Sequence, residues 1–387
     1  MRYSRCIASA AQSVAASLVR RVERILSPAA LPLSAYRNFL LLQHPSALGT
    51  AIHATPLIRA LHAAIPGSHV AATASGFSLD ILSGNPQLER LIPIPSPLCD
   101  WRGASKALRT VRPFGDEAFV ALQTQGNERT LVAAAAMFGG VHTRVGFSVE
   151  PRLSAAPLQI DPSVSLIANN LRIIGALGHG EALDNALANQ PDLIEPVVFP
   201  SERHFHKAEA LLLEQGIDLS RPITVFVTQT SVTQRKSWRP ERFRAVAEML
   251  YREYDAQIVF AGTSGEASAI DALRSPLPFA TATVAGKTNL LELSALMALT
   301  DIALTLDTGP MHLARAVRLP MVIIAPAWSP PVEWLPLNNP RARILKNADF
   351  PTAPPDYIID EVSVEEAEQN LRDLLTLYPP RTFTWRA

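Results

Sequence analysis

Cysteine is nearly absent: Cys6 and Cys99 are the only two in 387 residues, far apart and in no Cys-x-x-Cys or Cys/His ligand spacing. That excludes a disulfide framework and a structural zinc site, and it fits a reducing cytoplasm. Net charge is absent as well, with 35 basic residues against 35 acidic ones. No global basic field therefore announces nucleic acid, and no acidic excess suggests a solvating tail. No apolar run reaches the roughly 18 residues expected of a membrane-spanning helix. Asp-x-Asp triplets and convincing carboxylate clusters are missing too, so no divalent-cation site is expected. There is no short-period repeat, and the 32 prolines fall mostly in connections rather than in one low-complexity tract.

What is present is alternation. A chain of this length exceeds one ordinary core, so two lobes are expected. From "NFLLLQHP" onward, short apolar runs alternate with amphipathic ones: "NFLLL" and a helix in the 50s, "HVAATA" and "FSLDILSG", "RLIPI" and "WRGASKALRTV", "AFVALQ" and "RTLVAAAAMF". A second series follows "QPDLIEPVVFP", with "PITVFVT", "PERFRAVAEMLYREY", "AQIVFAG", "ATVAG", "LLELSALMAL", "DIALTL" and "PMVIIAP". Such alternation predicts βαβ units on parallel sheets, hence an α/β chain of two doubly wound, Rossmann-like lobes facing across a cleft. The expected divisions are a basic extension over 1–37, a first lobe over 38–190, a second over 191–360, and a C-terminal helix and tail over 361–387 that crosses back to the first lobe. In "SVEEAEQNLRDLLTLY", Ser363 and Glu366 have the spacing of a capping box.

Residues 1–37 admit three readings. Their apolar centre is diluted by Gln12 and serines, which argues against a signal peptide. An interfacial helix would align Val14, Leu18, Val22 and Leu26 with arginines beside them, giving residues 1–30 peripheral contact with an anionic membrane. A helix packed on the protein itself is the third.

Candidate chemistry gathers where strands are expected to end. In "LTLDTGPMHLARAV" an apolar run reaches Asp307 and Thr308, passes Gly309 and restarts as a helix bearing His312. Unpaired helix N–H groups at a strand's carboxyl end suit phosphate, although Asp or Thr before Pro310 is also ordinary capping chemistry. "VTQTSVTQRKSW" combines the hydroxyls of Thr228, Thr230 and Ser231 with Arg235 and Lys236, a set suited to a diphosphate or simply to a polar loop. Glu266 in "VFAGTSGE" would reach ribose or sugar hydroxyls, or balance a helix terminus. In the first lobe, a tight turn at Gly49 would admit a second substrate, with Ser46 and Thr50 near it and capping as their plainer role. His204 and His206, two apart on a helix, point to different sides and are read as surface residues.

With these segments in order, the chain resembles the family-nine glycosyltransferases, whose members include ADP-heptose:lipopolysaccharide heptosyltransferases. The resemblance runs from about Asn38 to Leu377 and includes "SALGTAIHATPLIRALHAAIPGSHV", "KSWRPERFRAVAEML" and "AGKTNLLELSALMALTDIALTLDTGPMHLARAVRLPMVIIAP". It implies a GT-B fold with the nucleotide-sugar donor on the second lobe and the acceptor on the first. By position, Thr230 and Ser231 resemble the donor-phosphate hydroxyls, Lys236 the lysine after them, and Glu266 the acid that contacts donor hydroxyls. Asp307, Thr308, Gly309 and His312 match the family's D-[ST]-G-x-x-H loop.

The family pattern breaks at Thr50, which follows Gly49 where Gly-Asp is usual; that aspartate is the family's proposed base, and threonine cannot replace it near neutral pH. A usual arginine is replaced by His44. Three explanations follow: His53 or His44 supplies the base, the acceptor differs, or the chain binds a sugar nucleotide without transferring. The implied function is an inverting, metal-independent transfer of heptose or a related sugar from a nucleotide-diphosphate donor to a lipopolysaccharide or other envelope acceptor. It needs no cofactor, involves no nucleic acid, and runs in the bacterial cytoplasm or at the inner membrane face.

Overall fold

The computed structural model describes residues 31–45, 47–115, 117–229, 237–328, 331–352 and 357–381. The readings of residues 1–30, Ser46, Thr230, Ser231, Arg235 and Lys236 lie outside them. The chain divides into two compact units, the first ending at Pro196 and the second beginning at Val197.

The first unit holds strands β1 (Asn38–Gln43), β2 (His69–Ala74), β3 (Arg90–Pro93), β4 (Phe119–Gln123), β5 (Arg144–Phe147) and β6 (Ala156–Leu158). All are parallel, in the order β3-β2-β1-β4-β5-β6. β1 is central, Phe39 standing between Val70 and Val120, and every one of its residues is buried, as a parallel strand covered on both faces requires. Its alternate residues divide between two cores. Phe39 and Leu41 pack with Leu57, Ile58, Leu61, Leu171 and Ile174 on one face, while Leu40 and Leu42 pack with Ala104, Leu108, Val132 and Ala135 on the other.

The helix expected through the 50s is two helices, Leu48–His53 and Thr55–Ala64. Pro56 explains the break, because it lacks the N–H that would continue the ladder. Thr55 Oγ1 closes the joint by donating to the Ile52 carbonyl at 2.8 Å. Gly49 does not form the expected tight turn. It lies inside the first turn of the helix and is not among the positive-φ glycines, while Ala47 occupies the N-cap. The side chain of Thr50, the third helical residue, therefore has no cap to make.

The second unit repeats the plan with β7 (Ile223–Val227), β8 (Gln257–Phe260), β9 (Ala282–Thr283), β10 (Ile302–Leu306), β11 (Met321–Ile324) and β12 (Ala342–Leu345), parallel in the order β12-β11-β10-β7-β8-β9. Phe226, Leu304, Leu306, Val322 and Ile324 meet Phe243, Val246 and Leu250 of the helix Pro240–Tyr254 in one core. The C-terminal helix, Val364–Leu377, adds Leu371, Leu374 and Leu375 to that same core, so the return to the first lobe expected from the sequence is replaced by packing on the second unit. Its capping box is half made. Ser363 Oγ accepts from Glu366 N at 3.1 Å, but the Glu366 carboxylate accepts from Asn347 Nδ2, a partner that only tertiary packing supplies.

Candidate functional site

A doubly wound sheet has one crossing point, where successive connections leave in opposite directions and the carboxyl ends of two adjacent strands leave a crevice. The strand orders place it between β1 and β4 in the first unit and between β7 and β10 in the second.

At the second crossing point, β10 ends at Leu306 and delivers Asp307, which is 4% exposed, then Thr308 in extended conformation, then the helix Gly309–Ala316 with Pro310 in its first turn. Thr308 occupies the N-cap but makes no side-chain cap; its hydroxyl donates back to the Leu306 carbonyl at 3.4 Å. The capping explanation therefore does not account for Thr308. His312 is buried one turn into the helix, with its ring centroid 6.1 Å from that of Trp334 at an angle of 59°. Trp334 belongs to the short helix Pro331–Trp334 beyond β11, and the sequence reading missed it. It lies ten residues beyond the end of β11, too far for the apolar run to point to it.

Across the crevice β7 delivers Thr228, which is buried, and Gln229, whose Nε2 donates to Thr228 Oγ1 at 3.3 Å. Beyond the end of the next strand, β8, Glu266 makes a capping box: its Oε2 accepts from Thr263 N at 2.7 Å over the short 3-10 turn Ser264–Glu266. That turn lies against Gly286, which has φ +69 and whose N–H donates to the Gly262 carbonyl at 2.9 Å. A β-carbon on Gly286 would stand 2.7 Å from Ser264 Cβ. Lys287, exposed in the same loop, is a cation at the carboxyl edge of this sheet. Among the described residues, no three His, Cys, Asp or Glu side chains converge as a metal site.

Hydrogen bonds cross the first crossing point. Gln43 Nε2 donates to Thr124 Oγ1 at 2.8 Å, Asn127 Nδ2 donates to the same oxygen at 2.9 Å, and His44 N donates to Asn127 Oδ1 at 2.6 Å. Gln123 Nε2 donates to the Asn127 carbonyl at 2.5 Å. Gly126 lies between them with φ +89, and a β-carbon there would overlap Thr50 Cγ2. Thr50 is thus 5% exposed and packed by its methyl against the Gly126 backbone. The sequence reading missed Thr124, Gly126 and Asn127.

The two histidines proposed as bases differ in setting. The His44 ring is 2% exposed between two hydroxyls, Nδ1 at 2.9 Å from Ser75 Oγ and Nε2 at 3.2 Å from Thr73 Oγ1. Burial pushes its pKa down to about 3, because nothing in that pocket repays the lost hydration of an imidazolium. His53 ends the helix Leu48–His53, is 1% exposed, and its carbonyl accepts from Asn170 Nδ2 at 3.4 Å. Asn170 in turn accepts through Oδ1 from Gln125 N at 2.9 Å, tying the helix Leu166–Ala176 to the loop after β4.

Residues 191–354 match the family model for glycosyltransferase family 9 (heptosyltransferase). The lipopolysaccharide core heptosyltransferase OpsX of Haemophilus influenzae is 28% identical over 128 residues, which is 33% of this chain and 36% of that protein. The chain thus spans little more than a third of the length of this curated relative. In structure, the family 9 glycosyltransferase of Veillonella parvula superposes with TM-score 0.75 over 90% of this chain and 99% of its own, at 18% identity. Escherichia coli ADP-heptose lps heptosyltransferase II does so with TM-score 0.70 over 87% and 98%, at 21% identity. The fold is GT-B, and residues 191–354 are what match the glycosyltransferase family 9 (heptosyltransferase) model.

Proposed function

We propose that the chain transfers heptose or a related sugar from a nucleotide-diphosphate donor, of the ADP-heptose kind named for its E. coli neighbour, to a lipopolysaccharide or other envelope glycoconjugate. The observation that carries this reading is the start of the helix Gly309–Ala316: Thr308 leaves it without a side-chain cap, at the crossing point of the second sheet, beside buried Asp307 and His312. Amide groups and the positive end of the helix dipole there suit a diphosphate, and they would stabilise the leaving group as negative charge develops on it.

In this reading Thr230, Ser231 and Lys236 complete the phosphate cradle, Glu266 exchanges its cap for a donor hydroxyl, and the helix end and cations supply what a metal supplies elsewhere. The first unit takes the acceptor near Ser46, Gly49 and Thr50. An acceptor hydroxyl attacks directly as the nucleoside diphosphate departs, inverting the anomeric centre. His44, its pKa pushed down to about 3 by burial, has too little proton affinity to accept a proton near neutral pH, so this reading gives the base role to His53. Its burial means that acceptor binding has to open the turn around Ala54 to reach the ring. The site of action is the cytoplasm or the inner membrane face; no helix among the described residues is long and apolar enough to cross a membrane.

Calorimetry with ADP, paired with turnover of ADP-heptose on lipid-linked and core-oligosaccharide acceptors, tests the reading. ADP binding lost in Asp307→Ala, turnover unchanged by EDTA, and a product of inverted anomeric configuration are expected. A chain that binds no ADP refutes the donor site. Transfer that survives His53→Ala removes that residue as the base.

A further inference from the structure

We propose that the second unit carries a further binding site, for a small phosphorylated anion, in a cavity at the amino ends of β10, β11 and β12. Asp301, Pro320 and Arg341 each stand immediately before one of these strands, and with Arg318, Tyr378 and Arg381 they line a hollow of about 390 Å³. That volume lies in the ordinary range for small-molecule pockets. Asp307, Thr308 and Glu266 follow the carboxyl ends of strands in the same sheet. The hollow is therefore on the opposite edge, and it does not depend on the transferase reading.

The charge around the hollow is one-sided. Three guanidiniums face the Asp301 carboxylate, and among the described residues that line it there is no second acid. Asp301 is buried and already engaged by the backbone: its Oδ2 accepts from Ile223 N at 2.9 Å and its Oδ1 from Arg381 N at 2.9 Å. Like charges gathered round one space repel, and an anion entering that space offsets the repulsion. Guanidiniums present paired N–H groups that match phosphate oxygens.

Helix chemistry accounts for one of the three cations. Arg381 Nη2 donates to the Ala298 and Thr300 carbonyls at 3.0 and 2.6 Å, where the helix Leu290–Ala298 ends, an ordinary role for a cation at the negative end of a helix dipole. Arg341 is held differently: its guanidinium lies 4.3 Å from the centroid of the Tyr378 ring, and among the described residues no carboxylate pairs with it. Arg318 has φ +59, the left-handed position that closes the helix Gly309–Ala316. Its N–H donates to the Arg315 carbonyl at 2.9 Å and that of Leu319 to the Ala314 carbonyl at 3.0 Å. Glycine is the ordinary residue at such a position, so the turn does not explain an arginine there, whereas an anion in the hollow does.

Hydrogen–deuterium exchange of the full-length chain, with inorganic pyrophosphate as the probe, reads this site locally. At about 0.15 M ionic strength, where diffuse surface attraction is screened, pyrophosphate should slow exchange saturably in peptides spanning 313–320 and 374–381. The concentration giving half of that protection should rise at least tenfold in Arg341→Gln and in Arg318→Gly, and less than twofold in Arg343→Gln, which removes a neighbouring charge that does not line the hollow. Glycine suits the left-handed backbone at 318, so weaker binding in that variant does not come from a strained fold. The proposal is overturned if pyrophosphate slows exchange only around 307–312, which would assign it to the crevice at the other edge. It is equally overturned if both arginine variants keep the native midpoint, or if sodium chloride at matched ionic strength protects the same peptides.

Discussion

The two crossing points have the same topology and different polar linings. In the first unit, side chains from β1 and the loop after β4 bond one another while Gln43 Oε1 stays buried without a partner, and Gly126 packs on the Thr50 methyl. In the second, the helix at Gly309 begins without a side-chain cap, and Thr228 and Gln229 face it with a weak mutual bond. A parallel sheet therefore provides a crevice at each crossing point, and the side chains delivered by its strand ends set the polar lining.

The largest effect that could break this comparison is a pH dependence confined to the first unit. His44 has its pKa pushed from an ordinary 6.5 to about 3, so the unfolded chain binds the extra proton between those values. Stability is full above pH 6.5 and falls by about 1.4 kcal/mol for each pH unit below it, levelling off near pH 3. Denaturant unfolding of the native chain and His44→Gln at pH 7, 5 and 4 checks this; parallel pH slopes for the two would contradict the burial argument.

Next is Asn127→Ala, which removes the acceptor for the His44 N–H and the second donor to Thr124. A loss of about 3 kcal/mol is expected, because a buried N–H is left without its partner. A loss under about 1 kcal/mol would mean that the joint is not held by this network.

Gly126→Ala should cost about 2 kcal/mol, from positive φ and the overlap with Thr50. Adding Thr50→Ser removes the methyl and should restore part of that cost, while the φ strain stays. If the double variant recovers nothing, the contact is not the cause.

The smallest effect sharpens the second unit's side. Glu266→Ala should cost about 1 kcal/mol by removing the cap on Thr263, and Glu266→Gln much less, since an amide oxygen still accepts. If Glu266 also contacts the donor, both variants raise KM for it; a KM unchanged in both confines the residue to capping.

Much of the fold was legible for one reason. Strands buried on both faces, such as β1, β7 and β10, are continuous apolar runs, and these three flank the crossing points that position the candidate residues. β5, β6 and β12 left no such signal: β6 has three residues and none fully buried, and β5 (RVGF) and β12 (ARIL) each include an arginine. The Asp307–His312 stretch was legible because its residues are consecutive. Gln43 and Thr124, by contrast, are 81 residues apart, and His44 and Asn127 are 83 apart, so no local pattern announced that they meet. Glu266 carried two meanings in sequence, and the described structure shows the capping one.

The sequence alone determined the alternating elements, the near-absence of cysteine chemistry and the strand-end motif, because each rests on neighbouring residues and on backbone preferences acting within a few positions. The tertiary structure decided that the last helix packs on the second sheet, that the helix in the 50s breaks before Pro56, and that Thr50 presses its methyl on Gly126. It also decided that His44 is buried between two hydroxyls, where desolvation weakens it as a base. Those outcomes depend on which distant groups desolvate or satisfy one another, a property of the packed chain rather than of any short segment.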